Sequence, residues 1–489
     1  MKSLLRSAVI LVLPVVLIVG ALIYARFVET PDIFSKVSST EPVLTTKAYE
    51  IPTKPLNPID CNGYNLSKKC ATNNPEISFS NQDRSSNSTC PDYFRWIHED
   101  LRPWAHTGIT QEMVEKAKAT ANFKLVILKG KVYLETYEKA FQTRDTFTLW
   151  GILQLLRRYP GMLPDLELMF DCVDWPVVLI DQNNVVAPPP LFRYCGNDLT
   201  LDIVFPDWSF WGWAEVNVKP WEILLGELKE GNKRISWDKR EPYAYWKGNP
   251  TVAETRQNLM TCNVSDKQDW NARLYSQDWG RESQEGYKKS DLARQCTHRY
   301  KVYIEGSAWS VSEKYILACD SPTLLVKPHY YDFFTRGLIP VHHYWPINED
   351  DKCKSIKYAV DWGNSHTEKA QNIGKAASDF IQQELKMDYV YDYMFHLLNS
   401  YAKLFRYQPS ISDKAVELCV ESMVCNAQGL ENKFMIESLV KSPSNTNPCT
   451  MPPPYDPPSL EAQIRRKQNA IQRIESREKS YWEKQNVKP

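Results

Sequence analysis

Short apolar runs alternate with segments of helical period along residues 90–425 of this 489-residue chain. This alternation constrains the fold most, because sheets covered by helices are the architecture that buries both kinds of segment. The candidate strands are residues 125–128, 167–170, 177–180, 202–205, 300–304, 323–326 and 339–342. The candidate helices are residues 110–120, 147–158, 252–260, 312–318, 368–386 and 389–405. We therefore expect an α/β protein.

An uncharged apolar run occupies residues 7–25, with the sequence SAVILVLPVVLIVGALIYA. Its length is close to the roughly 20 residues that cross a bilayer as a helix. Lys2 and Arg6 precede it, which places residues 1–6 in the cytosol by the positive-inside rule. A cleaved signal peptide is the alternative, but its apolar core is usually only about 7–15 residues long. The pattern favours an uncleaved signal anchor and a single-pass type II membrane protein.

The cysteines and sequons indicate the compartment. The 12 cysteines include no close Cys-x-x-Cys pair, which favours disulfides in an oxidising lumen over structural zinc. Glycosylation sequons begin at Asn65, Asn87 and Asn263. The chain shows no C-terminal retention tetrapeptide, so we expect the Golgi membrane, with the endoplasmic reticulum as the alternative. Basic and acidic residues number 59 each, and this balance argues against a nucleic-acid partner.

Two segments outside the α/β region have a different composition. Residues 26–88 are rich in Ser, Thr, Pro and Asn, which is typical of a lumenal stem, and Cys61 and Cys70 could close a small loop there. Residues 431–489 are predicted to be a C-terminal tail. Its charged, helix-like run at 460–482 has few apolar positions, so we expect a solvated helix or a weak partner helix.

A strand–loop–helix segment at residues 299–319 could bind phosphate. Gly306 follows the candidate strand and allows a close backbone turn. Ser310 and Ser312 lie where a helix begins, and Lys314 adds a positive charge one turn later. Free N–H groups and the dipole at a helix start attract anions. An ordinary Ser-capped helix explains the same pattern equally well.

A second basic segment covers residues 243–260. Asn249 can cap a helix whose first turn contains Pro250, with Lys247 and Gly248 before it and Arg256 on it. Arginine suits bidentate contacts with phosphate. Taken locally, a capped surface helix with solvated charges is the simpler interpretation.

Three aspartates surround the candidate strand within residues 164–178. Asp174 stands at the expected strand exit, before Trp175, where a carboxylate could accept the proton of a hydroxyl. A turn carboxylate before proline is the alternative. Asp171 and Asp174 are three positions apart and form no Asp-x-Asp pair, so we predict no metal site.

Residues 205–221 are the most aromatic stretch of the chain. Asp207, Trp208, Phe210 and Trp211 combine apolar rings with a hydrogen-bonding carboxylate, as a sugar site would. A structural aromatic cluster is equally consistent with the pattern.

Four segments occur in one order: PDLELMFDCVDWPVV, FPDWSFWGWAEVNV, YWKGNPTVAETRQNL and HRYKVYIEGSAWSVSEKYILACDS. Together they resemble the Rumi-type protein O-glucosyltransferases of glycosyltransferase family 90, especially its plant branch. The resemblance covers residues 90–405, about two thirds of the chain. It implies a GT-B architecture with two Rossmann-like domains facing a cleft, a UDP-sugar donor and inversion at the anomeric carbon. It requires neither a metal nor a cofactor.

The resemblance also implies residue roles. Asp174 falls on the family's general base, and Cys296 and Cys319 resemble a family disulfide. The implied donor-binding positions are Lys247, Gly248, Arg256, Gly306, Ser307, Ser310 and Ser312, with Lys314 supplying the charge of an arginine that animal members have near Ser312. We assign the acceptor side to Asp207, Trp208, Phe210 and Trp211.

The predicted domains are an N-terminal acceptor domain at 89–235, a C-terminal UDP-sugar domain at 236–400 and a closing helix at 401–430. The predicted function is transfer of glucose or xylose from UDP-glucose or UDP-xylose to a polysaccharide or glycoprotein hydroxyl. A non-catalytic lectin-like or scaffold relative and a nucleotide-sugar hydrolase are the alternatives. The presence of Asp174, Lys247 and Arg256 favours the transferase.

Overall fold

Two separate β-sheets form the centre of the molecule. The computed structural model describes residues 58–70, 88–180 and 188–486. The strands are β1 Phe123–Leu128, β2 Lys131–Thr136, β3 Leu166–Phe170, β4 Leu191–Arg193, β5 Ile203–Val204, β6 Glu241–Gly248, β7 Ala272–Ser276, β8 His298–Tyr303, β9 Thr323–Val326, β10 Tyr344–Ile347 and β11 Val416–Leu418. The predicted α/β class is confirmed.

The first sheet is mixed, with the strand order β11-β2-β1-β3-β4-β5. β1 pairs antiparallel with β2 and β3, while β3, β4 and β5 run parallel to one another. Every residue of β3 is buried, as expected for a strand covered on both faces. The end of β3 leads directly to Asp174, so this buried strand fixes where the aspartate emerges.

The second sheet is parallel throughout, with the strand order β10-β9-β8-β6-β7. The carboxyl ends of its strands therefore meet at one edge, which is where ligands bind in open α/β sheets. β6 ends at Gly248, and β8 ends just before the Gly306 loop. In the first sheet, by contrast, only β3, β4 and β5 are parallel to one another.

Helices cover both sheets. They are α1 Cys61–Ser67, α2 Trp96–Leu101, α3 Gln111–Ala117, α4 Arg144–Arg158, α5 Trp221–Arg234, α6 Glu254–Met260, α7 Trp279–Gln284, α8 Ser312–Leu317, α9 Lys352–Ser365, α10 Thr367–Glu384, α11 Met387–Ala402, α12 Val420–Val424, α13 Gly429–Glu437 and α14 Pro457–Asn486. α11 packs on β3 and α4, and α9 packs on β6, β9 and β10. These contacts bury the apolar faces of both sheets.

Five disulfides join the cysteines in pairs: Cys61–Cys425, Cys70–Cys419, Cys90–Cys449, Cys262–Cys353 and Cys296–Cys319. The Cys296–Cys319 pair implied by the family resemblance is confirmed. The suggestion that Cys61 and Cys70 close a local loop is wrong, because each is bonded to the segment around α12. Cys172 and Cys195 are buried free thiols.

Two predicted strands are not strands. Residues 177–180 are held by Asp202, whose carboxylate accepts hydrogen bonds from the backbone N–H groups of Val177 and Val178, and make only an isolated bridge. Residues 339–342 form a turn in which Val341 has φ of +63°, and the strand begins afterwards at Tyr344. In both places the apolar run lacks a neighbouring strand with which to pair.

The C-terminal helix α14 lies against α9. Ile474 is only 3% exposed, and Ser355 donates a hydrogen bond from Oγ to Glu478 Oε2 at 2.9 Å. Tyr481 donates from its hydroxyl to Asp361 at 2.8 Å. The run at 460–482 is helical and mostly exposed, as expected, but a few contacts spaced along one face dock it on α9.

The segments predicted to meet the membrane are not described. The run at 7–25 and most of the stem, including Asn87, lie outside the described residues. Among the helices that are described, none is both long and apolar enough to cross a bilayer. Asn65 is exposed on α1, whereas Asn263 exchanges two side-chain hydrogen bonds with the backbone of Leu274. Of the two described sequons, Asn65 is therefore the more accessible.

Candidate active site

A cleft of about 750 Å³ is lined by residues that follow strands of both sheets. The first sheet contributes Asp174 after β3, and the second contributes Gly248 at the end of β6 and Gly306 after β8. Arg256 on α6 and Ser310 before α8 also line it. The cleft thus brings together residues predicted separately as the base and as the phosphate-binding groups.

Arg256 is a buried cation at one corner of this cleft. Its Nε donates to the Glu305 carbonyl at 2.8 Å, and its Nη2 donates to Ser310 Oγ at 3.2 Å. Burial lowers the pKa of this guanidinium from its ordinary value, yet an arginine stays charged at neutral pH. No carboxylate within the described residues forms an ion pair with it, so its charge is available to an anionic ligand.

The loop after β8 adds hydroxyl groups to the same corner. Ser310 Oγ lies 2.9 Å from Ser312 Oγ, and Ser307 also lines the cleft. A Cβ on Gly306 would lie 3.4 Å from Arg256 Nη2 and 3.3 Å from Val252. The glycine therefore lets the backbone pass close to the guanidinium, as an anion-binding loop requires.

Lys247 and Gly248 border the cleft at the end of β6. The Lys247 ammonium donates to the Lys289 carbonyl at 2.6 Å, and Lys289 does not line the cleft. A Cβ on Gly248 would come within 2.5 Å of the Trp246 ring, so this glycine is needed for packing. Both predicted residues lie at the site, although neither is as directly placed as Arg256.

Asp174 is partly exposed, with 26% of its side chain accessible. Its Oδ1 accepts a hydrogen bond from Arg144 Nη1 at 2.5 Å. Buried ion pairs hold the turn that precedes Asp174. Arg193 pairs with Asp171, and its Nε lies 3.1 Å from Asp202 Oδ1. Asp171 is therefore structural, and Asp174 is the aspartate that faces the cleft.

Tryptophans line the cleft beside Asp174. Trp208 packs edge-on against Trp213 at 5.1 Å and against Trp309 at 6.1 Å between ring centroids. Trp213 donates from Nε1 to Gln142 at 2.8 Å. The indole N–H groups of Trp208 and Trp309 have no hydrogen-bond partner in the described part of the chain. Both nitrogen atoms are shielded from solvent, so these rings contribute an apolar wall beside Asp174.

Four predicted site residues lie away from the cleft. Lys314 is buried and donates from Nζ to Asp207 at 3.1 Å and to Ser209 at 2.7 Å. Phe210 and Trp211 are fully buried, and Trp211 bonds to the Tyr391 hydroxyl. Their predicted roles in direct ligand binding are wrong. Lys314 and Asp207 form a buried ion pair with each other, and Phe210 and Trp211 pack in the core. Of the predicted acceptor group, only Trp208 reaches the cleft.

Several cleft residues were not predicted from the sequence. Arg144, Glu215, Lys301 and Phe141 all line the site. Arg144 lies 30 positions from Asp174 in the chain, and Glu215 lies 72 positions from Thr143, whose hydroxyl donates to its carboxylate at 2.8 Å. Only the tertiary fold brings such residues together, and no local pattern marks them.

The model of glycosyl transferase family 90 matches residues 85–478, which include every element that lines the cleft. The chain belongs to glycosyltransferase family 90. Among similar proteins, Protein O-glucosyltransferase 1 of Homo sapiens is 26% identical over 347 residues, 68% of this chain and 84% of the relative. O-glucosyltransferase rumi of Drosophila melanogaster is 24% identical over 344 residues, 67% of this chain and 81% of the relative.

Family 90 membership confirms the Rumi-type resemblance that the four sequence blocks indicated. It supports a glycosyltransferase activity for the cleft. The family model extends well beyond those blocks into α14, the helix that docks on α9.

Proposed function

We propose that this protein is an inverting O-glycosyltransferase that uses a UDP-sugar. The observation that carries the proposal is that Asp174 and the corner formed by Arg256 and Ser310 line one cleft. A carboxylate that can take a proton and a fixed cation that can hold a diphosphate are the two groups that such a transfer needs. The relatives are named O-glucosyltransferases, which favours glucose, with xylose as the alternative sugar.

In the proposed reaction, Asp174 accepts the proton of an acceptor hydroxyl. The hydroxyl oxygen forms a bond to the anomeric carbon while the bond from that carbon to the diphosphate breaks on the opposite side. UDP leaves with the electron pair, and Arg256 together with the Ser310 and Ser312 hydroxyls stabilises its negative charge. The tryptophans beside Asp174 limit access of water, which would otherwise compete as the acceptor.

The acceptor is proposed to be a hydroxyl of a glycoprotein or a polysaccharide in the secretory pathway. Five disulfides support an oxidising compartment. We propose residence in the Golgi membrane through the apolar run at residues 7–25, with the endoplasmic reticulum as the alternative. The GT-B description of the two sheets belongs to the same proposal.

The test compares Asp174→Asn with Asp165→Asn, an exposed aspartate before β3 whose carboxylate accepts from the Lys129 backbone. The full-length protein is incubated with UDP-glucose or UDP-xylose and panels of oligosaccharide and glycoprotein acceptors, and UDP release is measured. We expect Asp174→Asn to lose roughly a hundredfold in kcat or more, as removal of a general base does. The Asp165→Asn variant should retain wild-type turnover.

Other outcomes distinguish the alternatives. Equal turnover by both variants would reject Asp174 as the base. Binding of UDP-glucose by the wild type without any turnover would instead identify a lectin-like relative. UDP release that does not depend on an acceptor would identify a hydrolase.

A further inference from the structure

We propose that Arg144 is a positioning residue for the base, holding the Asp174 carboxylate in the orientation that receives the acceptor proton. The proposal rests on the function proposed above. Arg144 Nη1 contacts Asp174 Oδ1 at 2.5 Å, and Oδ2 has no hydrogen-bond partner among the described residues. A carboxylate can rotate about its Cβ–Cγ bond. Occupation of one oxygen by a fixed donor leaves the other to meet the incoming hydroxyl.

Arg144 is itself rigidly held. The same Nη1 donates to the Cys172 carbonyl at 3.1 Å, and the guanidinium lies 4.5 Å from the centre of the Trp208 ring. The side chain is buried apart from its contact with the cleft. A cation fixed by a carbonyl and an aromatic face keeps its position when its carboxylate partner takes up a proton.

The turn before α4 fixes the position of Arg144, which is the first residue of that helix. Gln142 has φ of +59°, a left-handed conformation that is unfavourable for a residue with a side chain. Its side chain accepts from Trp213 Nε1 at 2.8 Å, and the next residue, Thr143, donates to Glu215 at 2.8 Å. Backbone strain maintained by such contacts is typical of functional sites. The turn thus ties Arg144, and through it Asp174, to the tryptophan wall of the cleft.

A role in binding the donor is the competing interpretation, since Arg144 is also a cation on the cleft. The contacts favour positioning, because the one charged group that Arg144 meets in the described chain is Asp174. The guanidinium available to a diphosphate is that of Arg256, which has no carboxylate partner there. The two arginines therefore have different tasks in one cleft.

The test measures kcat and KM for UDP-glucose in Arg144→Ala and Arg144→Lys with the acceptor that supports wild-type turnover. Misplacement of a catalytic group by about 1 Å can cost roughly a hundredfold, so we expect Arg144→Ala to lose roughly 10- to 100-fold in kcat. KM should change less than about threefold, because ground-state donor binding is untouched. Arg144→Lys should recover part of the rate, and so should guanidinium ion added to Arg144→Ala.

A double-mutant cycle with Asp174→Asn provides the sharpest criterion. If Arg144 acts through Asp174, adding Arg144→Ala to Asp174→Asn causes little further loss. Arg157→Ala is the matched control, since Arg157 is on the same helix and donates to the Val440 carbonyl at 3.1 Å, far from the cleft residues. It should retain wild-type kcat.

Independent, multiplying losses in the double variant, or a raised KM with unchanged kcat, would overturn the positioning role. If Arg144→Ala does not fold, Arg144→Lys and its own cycle with Asp174→Asn decide the question by the same criterion. Absence of wild-type turnover with every donor and acceptor would refute the proposed function itself. Turnover that depends on Asp174 but not on Arg144 would refute only this inference.

Discussion

Two buried lysines show how differently one residue type is used in this protein. Lys314 lies between α8 and the 207–209 turn, where Asp207 neutralises its charge at 3.1 Å. Lys301 lies on β8 at the cleft, donates to the Gln295 carbonyl at 3.0 Å and sits 4.2 Å from the centre of the Tyr245 ring. No described carboxylate forms an ion pair with Lys301. Burial, together with the smaller effect of the nearby Arg240 charge, therefore lowers the pKa of Lys301 from its ordinary 10.5 to about 7.

This shift makes stability depend on pH. Below pH 7 Lys301 is charged in the folded protein, so the full free-energy cost of burying its ammonium lowers stability. Between pH 7 and the ordinary pKa of lysine, the folded protein is neutral there while the unfolded chain still binds the proton, so the free energy of unfolding rises with pH. We expect the wild type to gain roughly 2–3 kcal/mol relative to Lys301→Met from pH 6 to pH 9, at about 1.4 kcal/mol for each pH unit above 7.

Urea unfolding of both proteins across this range measures the difference. Lys314→Met is the matched control, because it leaves Asp207 buried without its partner and should be destabilised at both pH values. A constant difference between the wild type and Lys301→Met at all pH values would show that Lys301 does not change protonation in this range.

Arg256 gives a prediction for donor binding. Lysine keeps the charge but loses the fork that reaches the Glu305 carbonyl and Ser310 together. We expect Arg256→Lys to weaken UDP binding roughly tenfold or more, a loss of about 1.4 kcal/mol or more, because one charge-assisted contact is worth that much. Thermal stabilisation by UDP measures this, with the exposed Arg294, paired to Asp291, as the matched lysine substitution. Equal stabilisation of both variants would contradict a phosphate site at Arg256.

At the scale of elements, the apolar pattern predicts what is buried better than what is paired. The run at 323–326 becomes β9 with the predicted bounds, because four consecutive apolar or β-branched residues are buried on both faces. β6 was not predicted, since its sequence EPYAYWKG mixes charge, proline and aromatics. Its parallel neighbours β7 and β8 supply the pairing that its own pattern does not reveal. The sequence could indicate Asp174 and the 306–312 loop as cleft residues because each follows a strand that is recognisable locally.

The sparse apolar pattern of α14 did not reveal that this helix packs against α9, and this contact can be tested. Ile474 packs in the core of the second sheet, whereas Ile464 on the same helix is 43% exposed. We expect Ile474→Ala to lower the free energy of unfolding by roughly 2–4 kcal/mol, as truncation of a buried isoleucine does. Ile464→Ala should change it by less than about 0.5 kcal/mol. Equal effects in urea unfolding would show that α14 does not dock in solution.

For the whole molecule, three disulfides join the N-terminal part of the described chain to its C-terminal part. Cys61–Cys425, Cys70–Cys419 and Cys90–Cys449 span 364, 349 and 359 positions. The spacing of the cysteines alone could not predict this pairing, because each bond depends on where α12 and the 449 region return in space. Cys61–Cys425 and Cys70–Cys419 hold residues 61–70 close to β11, the strand that pairs with β2 in the first sheet.

The stabilising effects of the three bonds are not additive, because each of them closes nearly the same long loop of the unfolded chain. In the chain-entropy model a disulfide closing about 360 residues should stabilise roughly 2 kcal/mol more than one closing about 23 residues. With Cys70–Cys419 intact, however, Cys90–Cys449 closes a loop of only about 50 residues. This loop consists of the 20 positions from Cys70 to Cys90 and the 30 positions from Cys419 to Cys449. We therefore expect Cys90→Ser/Cys449→Ser to cost within about 1 kcal/mol of Cys296→Ser/Cys319→Ser, whose bond spans 23 positions. Chemical unfolding of both double variants measures these losses. If removal of Cys90–Cys449 lowers the free energy of unfolding by about 2 kcal/mol or more beyond the loss from removal of Cys296–Cys319, the neighbouring disulfides do not shorten its loop.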